Sequence, residues 1–401
     1  MENNSRRDFL KKSIVVSGAA LIPGTLQASV AGKSEVRDVS KLPVRVLGKT
    51  GIKTPLISMG TSGVTNPNFV KAAYDAGIKL FFSATYYGEG NNEKLVGEGL
   101  KGLSRDSFVI GTAVPPEGLD MRTGTFIKEF DTNAYIKKSE ESLKRFGLDY
   151  VDIFLFPFAG KREMVLNEGV LKAMEQLKKQ GKTRFVGIAS HNDMEEALKA
   201  AADSGIYDVA MPAYNYKTTN KDSMNEALAY AVKAGIGIIA MKSTAGAASD
   251  KNRTKPLNTD AALKWILQNE NISTIVSGMS SLEEMQKNLA MIQNLKMTEQ
   301  ELKDVAGLKS NPGLYCHQCK TCIPQCPYSL DIPTLMRSYM YAYGYRNLEH
   351  AYFTLADSGL TNNPCDQCDV CKVNCIAGFD IKAKIRDIAR LKDVPREFLK
   401  A

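Results

Sequence analysis

All eight cysteines of the chain fall in two matching runs near its C-terminal end. The first is Cys316, Cys319, Cys322 and Cys326, followed by Pro327; the second is Cys365, Cys368, Cys371 and Cys375, followed by Ile376. Three thiolates at x2 spacing followed by a fourth after x3 form the run that grips a [4Fe–4S] cluster, and two runs imply two clusters. With the usual interleaving, Cys316, Cys319, Cys322 and Cys375 hold one cluster, and Cys365, Cys368, Cys371 and Cys326 hold the other. Soft thiolates also suit zinc, which is the alternative metal. Zinc ribbons, however, pair two C-x2-C knuckles, whereas here four cysteines recur in one compact run, twice. A disulfide scaffold fits poorly, because no short, loop-rich framework surrounds the runs. The expected chemistry is therefore electron transfer.

The opposite end predicts where that chemistry takes place. Ser5-Arg6-Arg7-Asp8-Phe9-Leu10-Lys11 matches a twin-arginine export signal, and a short apolar stretch follows from Ile14 to Ile22. That stretch is too short to span a bilayer, and Ser29-Val30-Ala31 before Gly32 offers a cleavage site. Twin-arginine export moves folded proteins, which suits a cluster assembled before transport. The expectation is a signal over residues 1–31, passage through the twin-arginine translocase, and a periplasmic or otherwise extracytoplasmic protein.

Composition bounds what lies between. The chain has 401 residues, 44% of them hydrophobic and 24% charged, with a formal net charge of +8. Part of that charge belongs to Arg6, Arg7, Lys11 and Lys12, and no basic stripe is interleaved with aromatic residues, so no nucleic-acid partner is expected. No apolar run beyond the signal is long enough for a membrane span. Strand-like runs recur at 55–59, 80–83, 108–114, 151–156, 184–189, 208–212, 237–241 and 273–277, each followed by a helical pattern. The clearest helices are 134–146, 194–202, 224–234, 261–268 and 282–292. Eight strand–helix units over roughly 230 residues predict an α/β fold of the (β/α)8 barrel type. A doubly wound sheet is weaker, since no G-x-G-x-x-G follows the first strand.

After Asn311-Pro312-Gly313 the composition changes, which sets a boundary near residue 310: a barrel over 43–310, then a small, mostly helical ferredoxin-like module over 311–401. Between the cysteine runs, Leu335, Met336, Tyr339, Met340, Tyr343, Leu348, Ala351, Tyr352 and Leu355 trace helices with one apolar side. The short link from Leu308 to Tyr315 predicts that the module docks on the barrel. Electron transfer to a ligand of the barrel requires docking at its mouth, with helices of the 330–356 segment in the contact.

The barrel resembles the aldo/keto reductase family, in the subgroup with a C-terminal ferredoxin-like domain. The resemblance spans roughly residues 43 to 401. It rests on Arg45-x-Leu47-Gly48-x-Thr50-Gly51, Tyr87-Gly88 with Glu93 and Gly97, Ser142 to Asp152, Gly181 to Ile188, Tyr214-Asn215, and Ser277-Gly278 with Asn288. Members of that family reduce carbonyls with a nicotinamide hydride, using a Tyr tuned by a Lys, a His and an Asp at neighbouring strand ends. The alignment carries the Tyr onto Tyr87. It carries the Asp position onto Phe82, the Lys position onto Ala113 and the His position onto Pro157, so three of the four expected residues are missing.

The resemblance also implies nucleotide-contacting positions at Ser190 and His191, Asn215, Gly278 and Asn288. A Gln position falls on Met211. The basic residues that hold a 2′-phosphate fall near Ser280 and Glu284, where a carboxylate repels that phosphate, so NADPH is disfavoured. The polar residues expected at the mouth are Tyr86, Tyr87, His191, Asn192, Tyr214, Asn215, Lys242 and Ser243. Tyr87, His191 and Lys242 are the candidates for catalysis; Lys242 also reads as a solvated surface lysine. The expected partners are a redox partner in the periplasm or membrane and a small-molecule substrate. Three functions follow: an exported iron–sulfur oxidoreductase, a non-catalytic electron carrier or scaffold with a vestigial barrel, and an NAD(P)H-dependent reductase with a rebuilt site.

Overall fold

The computed structural model describes residues 42–120, 125–248, 250–252, 254, 257–310, 313–360 and 362–399. The twin-arginine segment and its cleavage site lie outside these residues. Eight parallel strands close into a barrel in sequential order: β1 (Ile57–Gly60), β2 (Leu80–Phe82), β3 (Val109–Ala113), β4 (Val151–Phe156), β5 (Thr183–Ser190), β6 (Val209–Pro212), β7 (Gly237–Ala240) and β8 (Thr274–Gly278). All eight match the sequence expectation within two residues at either end. Their apolar, β-branched runs suit strands covered on both faces: every residue of β4 is buried, between the barrel interior and the helical layer. The interior is filled by Leu80, Phe82, Ala113, Ile153, Leu155, Ala189, Val209, Met211 and Ile239. These side chains form one packed cluster.

The helices that cover the barrel are α1 (Pro67–Asp75), α2 (Asn91–Gly99), α3 (Thr132–Phe146), α4 (Glu168–Lys179), α5 (Met194–Ser204), α6 (Lys221–Lys233), α7 (Thr259–Leu267), α8 (Leu282–Met291) and α9 (Glu299–Ser310). Local chemistry sets their ends. Asp131 accepts a hydrogen bond from the Ala134 N–H at the start of α3, and Gly147, with φ 67°, closes its last turn. Buried charges tie the helices to the strands. Glu93 of α2, fully buried, pairs with Arg145 at 2.6 Å and accepts from Thr112 and Ser142. Asp152 of β4 pairs with Arg105 at 2.8 Å and Arg184 at 2.9 Å, and accepts from the Ile110 N–H. A hairpin of Val44–Val46 and Lys53–Pro55 lies against the start of β7, where Leu47 packs so close to Gly237 that no Cβ fits there.

The C-terminal segment folds into α10 (Ile332–Tyr343), α11 (Leu348–Asp357) and α12 (Ile381–Ala389), and packs with the barrel as one compact unit. Helix α10 is buried from Ile332 to Ala342, which a free-standing module could not achieve. It lies over the C-terminal ends of the barrel strands. Asn347 donates to the Ser62 carbonyl at 3.1 Å, and the Gly246 N–H donates to the Tyr345 hydroxyl at 3.3 Å. A Cβ on Gly344 would stand 2.3 Å from the Gly246 carbonyl oxygen, so the two backbones meet because position 344 carries no side chain. Ion pairs at the rim join Lys320 to Asp193 (3.1 Å), Arg396 to Glu89 (2.6 Å) and Lys251 to Asp387 (3.0 Å). The expected docking at the mouth, through the 330–356 segment, is what the structure shows.

Candidate functional site

The cysteines gather across the two runs, not within them. Cys316, Cys319, Cys322 and Cys375 line one cavity, together with Ile332, Met336 and Phe379. Cys326, Cys365, Cys368 and Cys371 line a second, with Ile332, Val373 and Ile385. All eight are free thiols. Among the described residues, no three His, Cys, Asp or Glu side chains close on a single ion-sized point. Each set of four instead lines a cavity, which suits a cube of iron and sulfide. Burial and neighbouring thiols push Cys316 up to about 12, and Cys322 and Cys365 up to about 11. Four thiolates cannot share such a site unless positive charge compensates them, and the iron of a bound cluster would supply it. The donor set and its spacing therefore fit two [4Fe–4S] groups.

The first cavity adjoins the barrel mouth. Cys316, His191, Lys242 and Arg337 line a small cavity between the two parts of the protein. Lys242 follows β7 with φ 56°, a left-handed conformation that is uncommon for a lysine, and Asn215 holds it there by donating to its carbonyl at 3.0 Å. The Lys242 ammonium donates to the Tyr341 hydroxyl and lies 4.3 Å from that ring's centre. Lys242 is thus no solvated surface lysine, because α10 covers it. The Tyr341 ring stacks on His350 at 3.8 Å, and His350 meets the Tyr87 ring edge-on at 5.1 Å. Tyr86, Phe158 and His191 continue the series, with Tyr87–Tyr86 at 5.0 Å, Tyr86–Phe158 at 5.5 Å and Phe158–His191 at 5.8 Å.

Burial dominates the electrostatics here. It pushes His191 well below the usual imidazole range, helped by Lys242, Arg337 and His350, and pushes His350 the same way. Both rings are therefore neutral at pH 7, and Nδ1 of His191 has no hydrogen-bond partner. Desolvation lowers Lys242 to about 8 and raises Tyr341 to about 12. Tyr87 rises above the ordinary phenol value because it is buried and sits near Tyr341. His191 and Lys242 thus share a cavity, and Tyr87 reaches Lys242 only through His350 and Tyr341.

Tyr341, His350 and Arg337 were not singled out from the sequence. Arg337 and Tyr341, four residues apart, share a face of α10, and a buried Arg in an apolar helix is the signal that points to them.

Other expected residues lie elsewhere. Tyr214 does not face the mouth: its ring stacks on Trp265 at 5.4 Å and its hydroxyl donates to Asn225, because it points outward between α6 and α7. Asn215 spends its amide on the Lys242 carbonyl and the Lys217 N–H. Ser190 donates to the Asn192 carbonyl at 3.0 Å. Gly278 is exposed with open space before it, whereas Asn288 is buried and neither amide atom has a hydrogen-bond partner. Glu284 accepts from the N–H and hydroxyl of Ser280 at 2.9 and 3.0 Å, so a carboxylate occupies the start of α8. Phe82 and Ala113 are buried at the ends of β2 and β3, and the Phe82 ring lies where a Cβ on Gly111 would stand. Pro157 follows β4, and Met211 is part of the interior core.

Comparison with known proteins agrees with this architecture. Residues 61–261 match the aldo/keto reductase family, and residues 315–380 match a 4Fe-4S dicluster domain. The chain is 28% identical to L-galactose dehydrogenase of Arabidopsis thaliana over 316 residues, 67% of this chain and 95% of the relative. It is 27% identical to D-threo-aldose 1-dehydrogenase of a Pseudomonas species over 218 residues, 47% of this chain and 66% of the relative. Among solved structures, an aldo-keto reductase of Klebsiella pneumoniae in complex with NADPH superposes with a TM-score of 0.52 at 21% identity, covering 66% of this chain and 94% of that one. The barrel order, the strand-end mouth and the residues matched lead to one conclusion: the chain belongs to the aldo/keto reductase family, and it carries a 4Fe-4S dicluster domain after its barrel.

Proposed function

We propose that this protein is an iron–sulfur oxidoreductase, exported by the twin-arginine route, that exchanges electrons with a periplasmic or membrane redox partner and serves a small-molecule reactant at the barrel mouth. The observation that carries the reading is the cavity shared by Cys316, His191, Lys242 and Arg337, which sets the first cysteine site against the mouth. Bound at the eight cysteines, two [4Fe–4S] clusters would supply one-electron chemistry. The chain's own side chains supply protons and shape. Lys242 and the Tyr341 phenol stand ready as donors, and His191 as a neutral base with a free ring nitrogen.

Hydride chemistry with NADPH has little support. Phe82, Ala113 and Pro157 occupy the positions that the alignment gives to the Asp, Lys and His of the family. Without a neighbouring cation, Tyr87 is a poor acid, since burial raises its pKa further. The alignment also carries the positions that hold a 2′-phosphate to near Ser280 and Glu284, where the Glu284 carboxylate would repel it. Two other readings each have an observation behind them. Tyr341 and His350 fill the mouth, which favours an electron carrier with a vestigial barrel. The unpartnered Asn288 amide beyond Gly278 favours retained binding of a dinucleotide that lacks the 2′-phosphate, such as NADH.

The deciding experiment uses the full chain purified without oxygen. Iron and sulfide analysis tests the clusters. Titration with NADH and NADPH, and electron paramagnetic resonance with candidate reactants present, test the three readings. Cluster reoxidation driven by a compound and slowed by Lys242→Met supports the proposal. Turnover with NADPH at ordinary family rates sinks it. For export, Arg6→Lys with Arg7→Lys is expected to hold the protein in the cytoplasm; unchanged periplasmic recovery of the double variant argues against the signal.

A further inference from the structure

Two cations at the barrel–module junction have no salt-bridge partner. Arg337 is buried, bonds to the Thr334 hydroxyl at 3.3 Å and lies 5.7 Å from the Phe158 ring centre. Lys242 bonds to Tyr341. Among the described residues neither makes an ion pair, although most buried charges do. The carboxylates that reach this region are accounted for. Asp357 feels the field of Arg337 without pairing with it, and Asp331 caps α10 through the Thr334 N–H. Asp193 is engaged by Lys320 at the rim. His191 and His350 supply no negative charge in either protonation state. What the two cations do share is the cavity lined by Cys316. A cluster held by four thiolates is anionic, and reduction adds one more negative charge to it.

We propose that Lys242 and Arg337 are the internal counter-charges of the cluster held by Cys316, Cys319, Cys322 and Cys375, and that the barrel thereby sets the reduction potential of that cluster but not of the other. The inference rests on the proposed cluster reading. Among the described residues that line the second site there is no such pair. The lysines lining it are Lys372, which is exposed, and Lys382, whose ammonium bonds to the Cys368 and Asp369 carbonyls. Exposed charges are screened by solvent and salt, whereas charges removed from water act through a lower effective dielectric constant. One barrel residue and one module residue, brought together only by docking, thus bias one of two clusters that come from near-identical sequence runs. An anionic compound entering the mouth would offset the same charges and make that cluster harder to reduce.

The test is a potentiometric titration of the full-length, cluster-loaded protein at pH 7, followed by electron paramagnetic resonance. Cys319→Ser and Cys371→Ser mark which signal belongs to which site. In Lys242→Met and in Arg337→Met, the signal altered by Cys319→Ser is expected to be about tenfold less reduced at a fixed potential, equivalent to about 59 mV for one electron. The other signal should hold its place, and Lys242→Arg should restore the first. Should Lys242→Met fail to retain clusters, Lys242→Gln removes the charge while keeping a donor for Tyr341. Two wild-type-like titrations in the charge-removing variants, or a shift confined to the signal marked by Cys371→Ser, overturns the inference. A wild-type protein without iron overturns the cluster reading on which it rests.

Discussion

The two cysteine sites are built from runs that share every spacing, yet they lie in unlike surroundings. The first shares a wall with the barrel mouth, where Lys242 and Arg337 stand. The second is lined by the C-terminal segment alone. Ile332 and Ile381 line both sites. The repeat in the sequence therefore encodes ligation, while the docking of α10 over the mouth encodes which site meets the barrel. A pair of equal motifs becomes an ordered pair through tertiary packing.

The sharpest way to break this comparison is to remove the ligands that cross between the runs. Cys375→Ala is expected to empty the first site and Cys326→Ala the second, each lowering iron from about eight to about four per chain. If Cys375→Ala instead removes the signal marked by Cys371→Ser, each run closes on itself and the assignment of sites is wrong. Next in size is the barrel chemistry. Positioned acid–base groups contribute about 10²–10⁴-fold, so NADPH-dependent carbonyl reduction should run at least about 100-fold below that of family members with a full set of catalytic residues. A standard aldehyde assay checks this, and a rate within tenfold would identify Lys242, His191 or Tyr341 as replacements.

Stability separates the barrel interior from the docking rim. Glu93→Gln leaves Arg145 without its buried partner and should cost about 3–5 kcal/mol in denaturant unfolding. Glu89→Gln cuts a solvent-exposed contact to Arg396 and should cost less than about 1 kcal/mol. Equal costs would show that docking matters as much as the barrel core. The junction also predicts a pH dependence. His191 and His350 have folded pKa values below the unfolded value of about 6.5, so the unfolded chain binds more protons once pH drops under that value. The contribution of these two histidines is fully present above pH 6.5 and declines on acidification, by about 1.4 kcal/mol per pH unit for each histidine while only the unfolded state is protonated. His350→Gln should flatten that slope, and an unaltered slope would place the titrating groups elsewhere.

The sequence was legible wherever function or folding is written locally. Alternating apolar strands and amphipathic helices recur with a period that only a closed eight-unit barrel absorbs, so each strand lay within two residues of its expected place. The cysteine spacing named its chemistry because thiolate geometry is short-range. Tyr214 was misplaced because the residues after β6 turn, and the turn decides which side chain faces the mouth and which faces Trp265.

What the chain alone determined is the inventory: eight cysteines in two matched runs, and a barrel. What only the tertiary structure decided is the meeting of Lys242 with Tyr341, of His350 with Tyr87, and of Arg337 with the cavity of Cys316. These partners lie as far as 263 residues apart in sequence, as Tyr87 does from His350. No local pattern encodes such a pairing. It depends on docking, in which Gly344, lacking a Cβ, lets its backbone approach the Gly246 carbonyl.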